Sequence, residues 1–138
     1  MLNSPNKFVH VAVGVISNNE QQILIALRPV NVHQGGLWEF PGGKVECDET
    51  AQQALRRELR EELNIDAGEL RPLLDLQHHY SDKSVRLDVW WVEDFEGQPI
   101  GQEGQVVRWV SPKELTHYQF PEANKPIVEA IINSLTDN

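Results

Sequence analysis

The chain has 138 residues, with 40% hydrophobic and 24% charged side chains and a formal net charge of −9 at neutral pH. Length and balance suit one globular domain spanning 1–138 with a core of its own, and exclude wholesale disorder. The acidic balance excludes a nucleic-acid-binding surface, which needs a basic stripe to displace counterions. It leaves open a small anionic ligand, for which a divalent metal held by carboxylates would supply local positive charge.

One cysteine, Cys47, excludes an internal disulfide and a thiolate zinc site, and fits a reducing compartment. Met1–Lys7 lacks a basic-then-apolar signal pattern, and no apolar run reaches membrane-spanning length. A cytoplasmic monomer without membrane or nucleic-acid partners is the expectation.

In chain order, Phe8–Ile16 is β-branched and apolar, a strand buried on both faces. A polar turn, Ser17–Gln22, leads to a second strand, Ile23–Arg28, and Pro29–Gly36 reads as a loop. Pro41-Gly42-Gly43 is a sharp break at which the backbone can lie open to a ligand. Thr50–Leu63 is the clearest helix, with a capping box formed by Thr50 and Gln53, and it ends near Asn64. Two strands follow, Leu70–His78 and Val85–Glu93, joined through Tyr80–Ser84. A glycine-rich connection, Gly97–Gly104, enters the strand Val106–Val110. Ser111–Glu114 starts a short helical turn, and Pro126–Leu135 is a terminal amphipathic helix. Strands and helices are mixed, which makes the class α/β.

At about 100° per residue, Glu58, Glu61 and Glu62 share an arc of about 100° on the Thr50–Leu63 helix. Ala51 and Ala54 fall within that arc and are expected to leave room above the carboxylates. Leu55, Leu59 and Leu63 form the adjoining apolar stripe. A solvated acidic face would look similar. Against it, Glu58 and Glu62 repel at the four-residue spacing beside a buried stripe, and a hard divalent cation would reverse that repulsion.

The upstream context is more specific. Gly43 is followed after five residues by Glu49, and after seven more by Arg57-Glu58-Leu59-Arg60-Glu61-Glu62-Leu63-Asn64-Ile65. This segment, 43–65, resembles the Nudix box at every defining position except Asn64, where the family has glycine. Asparagine is the commonest substitute where a left-handed residue must end a helix. The resemblance implies a Nudix fold, a mixed β-sheet sandwiched between helices. It also implies hydrolysis of a nucleoside diphosphate linked to another group, with Mg²⁺ as cofactor and Mn²⁺ as possible substitute. Metal ligands would be Glu58, Glu61, Glu62 and a carbonyl of Gly42 or Gly43. Arg57 would orient a glutamate, with Glu49 as support.

Val11–Ile16, Glu39–Glu46, Glu96–Gln105 and Phe120–Pro126 extend the resemblance to the branch of the family that hydrolyses 8-oxo-dGTP to the monophosphate and pyrophosphate. It implies that Glu103 is a further metal-associated glutamate and a candidate base, though an exposed loop acid would read the same. Asn124 would read the oxidised guanine through O6 and the N7–H found only in the oxidised base, and could also cap the terminal helix. Arg28 would contact the nucleotide near its phosphates. Phe40 would pack against the base, its plainer alternative being a core aromatic. Asp82 and Lys83 would sit in a loop approaching the nucleotide, the lysine standing where that branch of the family has arginine. The alternatives are hydrolysis of another triphosphate such as CTP or dCTP, and a non-catalytic nucleotide-binding module.

Overall fold

A computed structural model describes residues 7–28 and 36–136 of the chain. Residues 29–35, most of the expected Pro29–Gly36 loop, lie outside the described residues. The central sheet has four strands, β1 (Lys7–Ile16), β4 (Gly42–Lys44), β6 (Leu70–His79) and β7 (Lys83–Val92), in the order β4-β1-β7-β6. It is mixed: β1 runs parallel to β7 along its whole length, while β4 and β6 are antiparallel to their neighbours. A smaller sheet joins β3 (Trp38–Glu39), β2 (Ile23–Leu27) and β9 (Val107–Val110). The short strands β5 (Asp66–Ala67) and β8 (Phe95–Glu96) pair with each other.

The two faces of the main sheet serve two cores. Odd-numbered residues of β1 and β7, among them Val13, Val15, Val85, Leu87 and Val89, pack with Leu115, Ile127 and Ile131 from the C-terminal part of the chain. The even-numbered Ala12, Ile16 and Val92 pack on the other face with α1 (Ala51–Leu63). The inner half of β1 is therefore buried on both faces as its composition predicts, whereas Phe8 at its start is exposed. The terminal helix, α2 (Lys125–Thr136), follows 3-10 turns at Pro112–His117 and Glu122–Asn124. The sheet thus sits between the two helices.

Helix α1 obeys its sequence signals. Thr50 and Gln53 exchange both capping-box hydrogen bonds, and Asn64 ends the helix at φ 60°, ψ 39°, the left-handed conformation for which glycine or asparagine is selected. Leu55, Leu59 and Leu63 are fully buried, each stabilising the fold by about 1.5–3 kcal/mol of transfer free energy. Ala51 and Ala54 belong to the same buried cluster rather than to open space above the glutamates, which corrects the helical-wheel expectation. The wheel assigned them correctly to the glutamate side but could not show how far the sheet wraps that edge.

Candidate active site

Gly42 and Gly43 set the geometry. Both lie on β4, paired with Val13 and Ala12 of β1, and this lays the Pro41-Gly42-Gly43 segment alongside α1. A Cβ on Gly42 would fall 2.1 Å from the Ala12 carbonyl oxygen, so two backbones meet there with no room for a side chain. A Cβ on Gly43 would fall 2.3 Å from Cδ of Glu58. The missing side chain at Gly43 is the space in which the Glu58 carboxylate lies.

Arg57 fixes that carboxylate. Its Nε and Nη2 donate to the two Glu49 oxygens at 2.7 and 2.9 Å, a bidentate pair, while Nη1 donates to Glu58 Oε2 at 2.9 Å. Nη2 also donates to the Lys44 carbonyl at 3.1 Å, tying the helix to β4. The planar guanidinium makes these contacts at once, as a lysine could not. Hydrogen bonding from Arg57 holds the Glu49 carboxyl down to about 2, and the same partners raise the arginine above its ordinary value.

One turn on, the half-buried Glu62 meets Glu58. Burial first, then a hydrogen bond and repulsion from Glu58, and then the charges of Glu39 and Glu103, push its carboxyl up to about 9. Glu103 reaches this field because its loop caps the end of α1. Ile100 N–H donates to the Leu63 carbonyl at 3.1 Å, and Gln102 N–H to the Glu62 carbonyl at 2.9 Å. These carbonyls are unpaired by any helix, and the loop satisfies them.

Glu61 stands apart. Its side chain is 60% exposed and lies 3.6 Å from Arg57 Nη1, the nitrogen that also holds Glu58. Among the described residues, no three acidic, histidine or cysteine side chains converge closely enough to close around an ion by themselves. The residues nonetheless fit a hard divalent cation in kind: every donor is oxygen, and two carboxylates are forced together beside the space left by Gly43.

Beside this cluster lies a cleft of about 170 Å³ on the odd-residue face of the sheet. Its floor is Val11, Val13, Val85 and Leu87; Arg28, Glu39, Tyr80, Lys83 and Asn124 stand around it. Arg28 Nη1 donates to Glu39 Oε1 at 2.8 Å, and burial outweighs this pairing to raise the Glu39 carboxyl. Asn124 is the residue directly before α2 and lines the cleft.

The site residues read from the sequence thus divide. Arg57, Glu58 and Glu62 gather at the Gly42-Gly43 turn, with Glu61 beside Arg57 and the charge of Glu103 felt at Glu62, while Arg28 and Asn124 share the cleft. Phe40 does not line it: only 4% exposed, its ring stacks on Phe120 at 5.0 Å, the core role. Asp82 is exposed in the β6–β7 turn and also does not line the cleft, whereas its neighbours Tyr80 and Lys83 do. A hairpin turn alternates which side chains face inward, and the sequence did not show which. Sequence reasoning assigned no role to Glu39, which borders both the cleft and the carboxylate cluster. Its signal was an acid two residues before the Pro-Gly-Gly break.

The NUDIX domain family matches residues 12–130, and the chain belongs to that family. Within it, the chain is 39% identical to an 8-oxo-dGTP diphosphatase of Escherichia coli (strain K12), covering 88% of this chain and 95% of that protein. It is 41% identical to a CTP pyrophosphohydrolase of the same organism, over 91% of this chain and 93% of the relative. A solved MutT structure, from work on Aliivibrio salmonicida and Vibrio cholerae, superposes with a TM-score of 0.81 at 41% identity, covering 93% of this chain and 99% of that one. Nudix hydrolases generally depend on a divalent metal. Among the described residues, no helix is long and apolar enough to cross a membrane.

Proposed function

We propose that the chain is a single-domain, Mg²⁺-dependent nucleoside triphosphate pyrophosphohydrolase that converts 8-oxo-dGTP to 8-oxo-dGMP and pyrophosphate. Mn²⁺ would be an acceptable substitute. The observation that carries this reading is the adjacency of an oxygen-only carboxylate cluster to an apolar cleft with Asn124 on its wall. The similarity to 8-oxo-dGTP diphosphatases over most of the chain supports it.

Glu58, Glu62, Glu103 and the Gly42 carbonyl would hold the cation, with Glu61 swinging in from its exposed position. When bound, the cation neutralises phosphate oxygens and makes a nearby water more acidic. The chain's own residues do the rest. Arg57 holds and aims Glu58, so that its carboxylate lies where Gly43 leaves space. Glu103, on the loop that caps the helix, is the candidate to accept a proton from water. The valine and leucine floor excludes water from the base, and the Asn124 amide, both donor and acceptor, can meet O6 and N7–H together. Unmodified guanine offers an acceptor at N7 and leaves the amide mismatched.

The CTP pyrophosphohydrolase relative favours a second reading, in which the preferred triphosphate is a pyrimidine. A hydrolysis panel of 8-oxo-dGTP, dGTP, CTP and dCTP under one condition separates the two. The expected order puts 8-oxo-dGTP first by kcat/KM, and Asn124→Ala lowers its preference over dGTP. Equal loss on both nucleotides would remove Asn124 from base recognition, and a CTP-first order would replace the substrate.

A further inference from the structure

A second cavity, of about 380 Å³, opens on the flank of α1 and takes no part in the cleft. It is lined by Arg56, Arg57, Arg60, Glu61, Asp66 and Ala67, so three guanidinium groups meet two carboxylates in one concavity. This is an unusual local balance in a chain of net charge −9. Arg56 and Arg60 stand four residues apart on the exposed side of the helix, a spacing at which like charges repel. An anion lying between them would turn that repulsion into attraction.

The two arginines are anchored and not saturated. Arg56 Nη1 donates to the Ala67 carbonyl, and Arg56 enters no ion pair among the described residues. Arg60 Nε donates to Asp66 Oδ1 at 2.8 Å, and its Nη2 reaches the same oxygen. Both anchors come from β5, whose pairing with β8 holds Asp66 and Ala67 opposite the helix. Each guanidinium is thus pinned along one edge, which leaves Nε and Nη2 of Arg56 and Nη1 of Arg60 with N–H groups to donate. Arg57 differs, since Glu49, Glu58 and the Lys44 carbonyl occupy all three of its nitrogens. It serves as a wall shared with the carboxylate cluster and not as a ligand.

The chemistry selects the anion. A planar carboxylate matches a single guanidinium fork, whereas a tetrahedral phosphate can present oxygens to two forks that approach from different directions. The cavity is also larger than a bare ion needs, which leaves room for an ester group on the phosphate. We propose that this flank of α1 is a phosphate-binding site, in which Arg56 and Arg60 hold a phosphate ion or a phosphate monoester apart from the cleft. Glu61, on the rim, opposes the bound anion by its charge.

The test is calorimetric titration of the full chain with inorganic phosphate, with EDTA present so that no divalent cation draws the anion to the carboxylate cluster. Ionic strength is held fixed with sodium chloride, because exposed charges are screened by salt. Arg56→Gln and Arg60→Gln are each expected to weaken binding about tenfold. Arg56→Lys keeps the charge without the fork and is expected to lose about threefold. Glu61→Gln is expected to tighten binding about threefold, an increase that damage to the fold would not produce. It also answers where an arginine variant fails to fold. Lys83→Gln, on the rim of the cleft, is expected to bind phosphate as wild type does. Ribose 5-phosphate, titrated in parallel, separates the two sources. Binding with the same pattern of variants assigns the site to monoesters, and binding of inorganic phosphate alone assigns it to the free ion. A wild-type chain that shows no saturable binding of either probe would overturn the proposal. So would wild-type affinity in both glutamine variants of the arginines, or a loss confined to Lys83→Gln, which would place the anion in the cleft.

Discussion

Replacing Gly43 with alanine isolates the contact on which the carboxylate cluster depends. Gly43 does not take a positive φ, so alanine fits its backbone without strain. The added Cβ falls 2.3 Å from Glu58 Cδ and 2.5 and 2.6 Å from its oxygens. To regain ordinary contact the carboxylate must retreat by about 1 Å, which it can do as the free end of a side chain. The cost therefore falls on alignment and not on folding. A displacement of that size at a reacting centre can cost about a hundredfold in rate, or about 2.7 kcal/mol of barrier. The assay is kcat/KM on 8-oxo-dGTP with saturating Mg²⁺, together with thermal unfolding of the same protein. The expected outcome is that large rate loss with Tm within a few degrees of wild type. Gly42→Ala is the contrast, since its Cβ would meet the Ala12 carbonyl oxygen at 2.1 Å, backbone against backbone. There Tm should fall by about 10 °C or more. Activity of Gly43→Ala within threefold of wild type would refute the placement of Glu58, and a Tm collapse matching that of Gly42→Ala would refute the division between site and fold.

Glu62→Gln should abolish hydrolysis and also abolish the rise in Tm that Mg²⁺ gives the wild type, because a ligand of the native state stabilises it by mass action. EDTA should reproduce both losses in the wild type, and a Mg²⁺-induced shift that survives in Glu62→Gln would move the cation elsewhere. The Glu49 carboxyl, held down to about 2 by Arg57 from its ordinary 4.5, gives stability that is fully present above pH 4.5 and fades as pH falls toward 2. Glu49→Gln should flatten that part of the stability–pH curve, and an identical acid limb in the two proteins would deny the pair its role. At Asn64, alanine in the left-handed conformation should cost about 1 kcal/mol while glycine is neutral or stabilising. Chemical denaturation measures both, and a neutral Asn64→Ala would contradict the helix ending seen here.

Much of this site is written locally. The capping box, the apolar stripe of α1, the left-handed Asn64 and the spacing from Gly43 to Glu49 to the helix glutamates follow from short-range rules. The sequence by itself therefore determined the helix, its acidic face and the glycine turn facing it. It also determined the two-sided burial of Ala12–Ile16, because a strand apolar at every position has no other use for both faces.

Tertiary structure decided the rest. Which glutamates meet depends on β4 docking beside α1 and on the loop at Ile100–Gln105 capping the helix end. That docking sets Glu58 against Glu62, brings the charge of Glu103 to bear on Glu62, and leaves Glu61 exposed beside Arg57. Phe40 could face base or core until β3 and the turn before α2 brought it onto Phe120. Glu39 and Tyr80 gained their places only when strands far apart in the chain set their register. A side chain's neighbours across a sheet are fixed by pairing over long separations, and no local pattern records that pairing.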